Sequence, residues 1–225
     1  MDIEAYLDDL SAPLADRLAA CQAVLAEWKE HLHVRCKCAT WFAYRMIEAG
    51  TPDEAFPHAV RALGDLRAQE PHEFWIARWT GSLVMALAYL NIARGRSAAR
   101  LLRASRNFNW IALNPSCVVN VCRSQILLSA IEIGAGRMLH AAKTLEACRH
   151  AFDFAVTRWP FRGAYNCQGH ELVLAAKCIH IAIALLPHAK MPYQGEVYGR
   201  DMILGIDASE PFNASLARLL PASLR

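Results

Sequence analysis

Four groups of side chains in this chain have types and spacings that could support chemistry. Cys167-Gln168-Gly169-His170-Glu171 places a thiol, an imidazole and a carboxylate at i, i+3 and i+4. A Cys beside a His is the pairing of a nucleophile with its base. A position near a helix start would lower the thiol pKa through the helix dipole. No Asn or Asp orienter and no oxyanion element can be assigned to it, and the competing reading is a capping and surface cluster ahead of a core helix.

His31, His33, Cys36 and Cys38 form the strongest metal candidate in the sequence. Residues at i, i+2 face one way only in an extended chain and diverge on a helix. Structural zinc sites space their ligands as C-x₂₋₄-C and H-x₃₋₅-H, which this segment does not match. Glu30 and His33 give one copy of a di-iron helix motif that needs two, since Glu146 to His150 is one residue too long. No metal or other cofactor is therefore expected.

The fourth group is basic. On a helix, Arg96, Arg100 and Arg103 fall within about 60° of one another, with Arg106 adjacent and Ala98, Leu101, Leu102 and Ser105 opposite. Guanidinium forks match carboxylates and phosphates bidentately, so this stripe suits an anionic partner; the alternative is an ordinary solvated face. The sequence holds no Gly-rich phosphate loop, G-x-S-x-G elbow, H-E-x-x-H or C-x-x-C-H motif.

The elements that must position these residues are helical. In 52–67, Phe56, Ala59, Val60, Leu63 and Leu66 follow the i, i+3, i+4, i+7 rule. Thr51, Pro52 and Glu54 read as a capped start with a capping box. In 136–153 the same periodicity turns Met138, Ala141, Ala142, Leu145, Cys148 and Phe152 inward. Asn114-Pro115 opens another helix, running to about Gly134. Glycines fall where helices meet: Gly50 joins 33–49 to 52–68, Gly95 joins 72–94 to 96–106, and Gly134/Gly136 join 115–133 to 137–153. A further helix is expected within 163–186, a short extended piece within 191–207, and a final apolar helix carrying Phe212, Leu216, Leu219 and Leu220. That last helix must dock on its own body or on another subunit.

The fold expected is all-α, a short α-solenoid of stacked αα-hairpins or a compact helical bundle. It forms one domain over 1–225, with N-terminal helices in 1–31, hairpins in 32–187 and an irregular tail in 188–225. The hairpin spacings, 45 and then 41 residues, suggest a loosely repeated unit. Ala43, Gly50, Ala55, Ala59 and Ala62 resemble the small-residue pattern of a tetratricopeptide repeat, and Gly136, Ala141, Leu145 and Cys148 echo its second half. The resemblance covers about a third of the chain and departs from that family's period of about 34 residues. It implies a concave surface for a peptide or protein partner.

Charge is divided along the chain. Residues 1–73 carry 7 basic and 13 acidic side chains, whereas the 58 residues from Phe74 to Ile131 carry seven Arg and no Asp, Glu or His. The middle is thus built to face something negative, either the acidic first third or an external anion. A 55% apolar content with 20% charge excludes a disordered tail protein. The acidic start, Met1-Asp2-Ile3-Glu4, is no signal peptide. The apolar stretch Leu172–Leu186 is 15 residues long, short of the ~20 a bilayer needs. Eight cysteines in apolar patterns read as core residues of a reducing compartment, so a cytoplasmic location and no membrane partner are expected.

The leading expectation is a non-catalytic adaptor or scaffold that holds an acidic protein or peptide on Arg96, Arg100, Arg103 and Arg106. Nucleic acid ranks behind it because the net charge is only +3. A helical-bundle enzyme or ligand-binding protein using an interior pocket with Cys167, His170 and Glu171, and with His140 and His150 as unlinked further candidates, is the second reading. A homo-oligomer, or a subunit of a larger assembly, is the third.

Overall fold

Asp2 starts the first helix, α1 (Ile3–Asp8), by accepting the Glu4 and Ala5 N–H groups at 3.0 and 3.3 Å. The computed structural model describes residues 2–69, 74–112, 115–157, 169–191, 194–206 and 211–224, without the side chains of 74, 115–116, 154–157 and 169–172. Helix α2 (Leu14–Glu27) stops at Trp28, whose φ of 57° is left-handed. That conformation is costly for a residue with a Cβ, and three contacts hold it. The Arg61 and Arg35 guanidiniums lie over the indole at 4.3 and 5.0 Å, and its Nε1–H donates to Asp65 Oδ2 at 2.8 Å.

Three pairs of helices follow: α3 (Leu32–Glu48) with α4 (Pro52–Arg67), α5 (Phe74–Ala93) with α6 (Ala99–Ile111), and α7 (Pro115–Gly134) with α8 (Met138–Thr157). One turn joins each pair. Gly50, Gly95 and Gly136 have φ of 79°, 67° and 72°, a region open to glycine. Their N–H groups donate to Ile47, Ile92 and Ile133 carbonyls at 3.2, 3.0 and 3.0 Å. The next residue in each case, Thr51, Arg96 or Arg137, reaches back to the carbonyl of Met46, Asn91 or Glu132 at 2.8, 2.7 or 2.8 Å. This is the Schellman arrangement, three times over.

Successive pairs interlock. Helix α3 packs on α4 and α5, α5 on α6 and α7, and α7 on α8 and α9 (Gly169–Leu185), while α4, α6 and α8 pack on α5, α7 and α9. Helix α5 supplies Leu83, Leu87 and Leu90 to a core shared with α1–α4, and Met85, Tyr89 and Ile92 to a second core that continues through α9. Such two-sided burial explains its lack of a polar face. By length and composition alone, Trp75–Ala93 and Cys117–Gly134 would be long and apolar enough to cross a bilayer, but most of each stretch is buried inside the protein.

Ala43, Ala55, Ala59 and Ala62 are fully buried in the first core, where small side chains let helices approach closely. Ala141, Leu145 and Cys148 are likewise buried. The short helix α10 is Arg200–Leu204, and the final helix α11 (Phe212–Leu219) docks on the chain's own body, against α5 and α7. Phe212, Leu216 and Leu220 are buried there, and Arg218 Nη1 donates to the Ala93 carbonyl at 2.9 Å.

Four expectations are corrected or refined. Thr51 makes no capping bond, because its hydroxyl turns to Met46 Sδ at 3.3 Å. Val60 is exposed, because α4 turns its alanines rather than the valine into the tight contact. The described part of 191–207 is extended at Gly199 but continues into a short helix, α10. Helix α6 begins at Ala99, three residues later than expected, because Arg96 is consumed in the Gly95 turn.

The acidic first third does meet the basic middle. Arg94 Nε pairs with Asp53 Oδ1 at 2.6 Å, and its guanidinium lies 4.2 Å from the Phe56 ring centroid.

Candidate functional site

Helix α6 is basic and polar along its outer side and buries Leu102, Ser105 and Asn109 along its inner side. The inner side is fixed by a polar network. Ser105 Oγ donates to the Gly81 carbonyl at 3.0 Å, Asn109 Nδ2 donates to the Ser105 carbonyl at 2.8 Å, and Asn120 Nδ2 donates to Asn109 Oδ1 at 3.4 Å. These bonds tie α6 to α5 and α7, and so set which residues face outward. Arg100 and Arg103 are exposed, Arg106 is half-buried, and Asn107, Trp110 and Ile111 are exposed below them.

At that lower end α6 and α8 flank α7 and leave a groove of about 680 Å³. One wall is Arg106, Asn107, Trp110 and Ile111; the other is Ala147, His150 and Ala151; Val121 and Gln125 of α7 lie between them. Alanines one turn apart on α8 make that wall shallow. Arg106 is aimed by its neighbour, its Nε and Nη2 both donating to Asn107 Oδ1 at 3.1 Å. None of these lining residues is a carboxylate. Gln125 is only 5% exposed, and its Oε1 is buried with no hydrogen-bond partner among the described residues. A buried acceptor of this kind carries an unmet desolvation cost.

The basic stripe therefore survives in part. Arg100, Arg103 and Arg106 share α6, whereas Arg96 lies in the preceding turn. Arg103 Nη2 is 3.8 Å from Glu132 Oε1, and the other oxygen of that buried carboxylate takes Arg137 Nε. Arg103 thus serves partly to hold α6 to α7.

The metal candidates divide. His31 stands just outside α3, which lets its ring stack on His33 with centroids 5.9 Å apart, although the two are only two residues apart. His33 Nε2 meets Glu4 Oε1 at 3.1 Å. Cys36 and Cys38 lie inside α3, both fully buried in the first core. Cys38 accepts from the Cys21 thiol through its carbonyl at 3.4 Å, while burial pushes the Cys36 thiol up to about 12. Among the described residues, no three His, Cys, Asp or Glu side chains are grouped to hold a metal ion.

Cys167 lies outside the described residues; His170 and Glu171 fall in the first turn of α9, but their side chains are outside the description. Of the other thiols, Cys148 is raised well above its ordinary value by its hydrogen bond with Cys122 and by burial. Protonated, enclosed thiols make poor nucleophiles at neutral pH. His140 and His150 are both exposed on α8, and His150 alone reaches the groove. A second cleft, of about 400 Å³, is lined by Glu4, His33, Trp75, Arg78 and Trp79. Its charged members are already engaged, Glu4 with His33 and Arg78 over the Trp79 ring at 5.7 Å.

Of the residues that line the groove, Arg106 and His150 were singled out from the sequence, whereas Gln125 and the alanine wall were not. The chain matches no family model, no curated protein and no solved structure.

Proposed function

We propose that this protein is a non-catalytic adaptor in which stacked helical hairpins, of the kind the tetratricopeptide resemblance implies, present the α6–α8 groove to an acidic segment of a partner protein. The observation that carries the reading is the groove's composition. Arg106 and His150 stand over an apolar bed of Trp110, Ile111, Val121, Ala147 and Ala151, and none of the described residues that line it is a carboxylate. Arg103 and Arg100 continue the positive face one and two turns up α6. Opposed charges across a rim steer association and set specificity, while the apolar bed supplies the contact area. The repeated Gly turns and the interlocked order of helices support a stacked, rigid presentation.

The test is fluorescence anisotropy of a labelled Asp/Glu-rich peptide carrying one aromatic residue. Affinity is expected to fall steadily as salt rises. The double variant Arg100→Glu/Arg106→Glu is expected to lose binding at least tenfold with an unchanged helical spectrum. Arg103 is left alone, because a Glu there would sit against Glu132 and disturb the α6–α7 contact. Undiminished binding by the double variant would show that this face is not the interface.

A further inference from the structure

The floor of the groove specifies more than charge. Gln125 is the polar residue of α7 that lines it, between the apolar Val121, Trp110, Ile111 and two alanines, with Arg106, Asn107 and His150 completing the lining. Gln125 is 95% enclosed, and its Oε1 has no hydrogen-bond partner among the described residues, whereas two serines of the same helix are satisfied: Ser124 Oγ donates to Met85 Sδ at 3.5 Å and Ser129 Oγ to the Gln125 backbone carbonyl at 2.9 Å. The last torsion of a glutamine is broad and nearly twofold, and Gln125 lines the groove, so rotation about that torsion redirects the enclosed oxygen toward an occupant. A buried acceptor at the base of an apolar slot is a selectivity device. It gains a bond from a ligand with a donor in reach and stays unmet with a ligand that has none.

We infer that the occupant anchors itself with an aromatic side chain bearing a donor at its far end, a tyrosine above all or a tryptophan, flanked by acidic residues. Arg106 and His150 at the rim take the flanking carboxylates. The ring lies between Trp110 and the Ala147/Ala151 wall, a gap those small side chains leave open, with the offset stacking aromatic pairs favour. The phenol O–H donates to Gln125 Oε1. This deepens, and rests on, the acidic-segment reading.

The probes are four peptides, Asp-Glu-Asp-Xaa-Asp-Glu-Asp with Xaa as Tyr, Trp, Phe or Leu, titrated against the full chain. Tyr and Trp peptides are expected to bind about three- to tenfold tighter than Phe, the worth of one net hydrogen bond. Leu is expected to bind weakest. In Gln125→Met, an unbranched replacement of similar shape, and separately in Gln125→Leu, that advantage is expected to vanish and Phe to bind at least as well as Tyr. Because burying an apolar group there removes an unmet polar one, both variants are expected to melt no lower than the parent. Equal binding of Tyr and Phe by the parent, or a Tyr preference that survives in both variants, overturns the anchor while leaving the acidic reading intact. If no acidic peptide binds, the acidic reading fails and the anchor with it.

Discussion

Single atoms decide several properties of this chain. A Cβ on Gly81 would lie 2.6 Å from Asn109 Nδ2, inside any permitted contact. Asn109 has no room to yield, being 1% exposed and bonded to the Ser105 carbonyl and hydroxyl at 2.8 and 3.1 Å. Gly81→Ala is therefore expected to cost about 1–3 kcal/mol in urea unfolding. Adding Asn109→Ala should cost less than the sum of the two single changes, since the second removes the clash made by the first. His58 gives a pH signature. Burial first, and Arg61 second, hold its imidazole below its ordinary value of 6.5. The unfolded chain then takes up a proton more readily than the folded one, so this contribution is complete above that value and declines as pH falls through it. His58→Gln is expected to lose less stability than the parent between about pH 7.5 and 5.5, checked by urea midpoints. Neither feature was legible beforehand. Gly81 reads as one more glycine in an apolar helix, and only the closure of α6 on α5 gives it a neighbour.

At the scale of elements, glycines divide by conformation. Gly95 is left-handed, with nothing within 4 Å of the point where a Cβ would stand, whereas Gly64 lies within α4 with equally open space and no such φ. Gly95→Ala is expected to destabilise by about 1 kcal/mol through backbone strain alone. Gly64→Ala is expected to stabilise by about 0.5–1 kcal/mol by removing backbone freedom from the unfolded chain. Opposite signs from the same substitution, read by thermal melts, would confirm the turn assignment. These turns were readable because Gly50, Gly95 and Gly136 interrupt amphipathic runs at points where only glycine ends a helix without strain. The start of α6 was not readable, since Arg96 continues the basic periodicity into a turn that the Asn91 carbonyl captures. The groove was less readable still. Arg106, Gln125 and His150 come from three helices and meet only because α6 and α8 both lean on α7.

Across the whole molecule, the fold is closed by its last helix. Phe212 is 1% exposed under the Arg123 guanidinium, 5.3 Å from its ring centroid, and Leu216 is fully buried. Phe212→Ala is expected to cost about 3–5 kcal/mol by cavity formation, with greater dye binding to exposed apolar surface if α11 detaches. Helix α11 also occupies the α5–α7 face, leaving the α6–α8 groove as the larger of the clefts described above. Charge follows the same division, with Arg94 neutralised by Asp53 while Arg100 and Arg106 have no carboxylate beside them among the described ion pairs. The central claim is that an acidic partner enters beside Trp110. The chain has six tryptophans, so the indole N–H region of a nitrogen-15 correlation spectrum reports on six places at once. With the Trp110 signal assigned through Trp110→Phe, titration of Asp-Glu-Asp-Tyr-Asp-Glu-Asp is expected to move that peak saturably and leave Trp28, Trp41, Trp75 and Trp79 in place. Movement at Trp75 and Trp79 with a stationary Trp110, or no movement at any indole, would contradict the account.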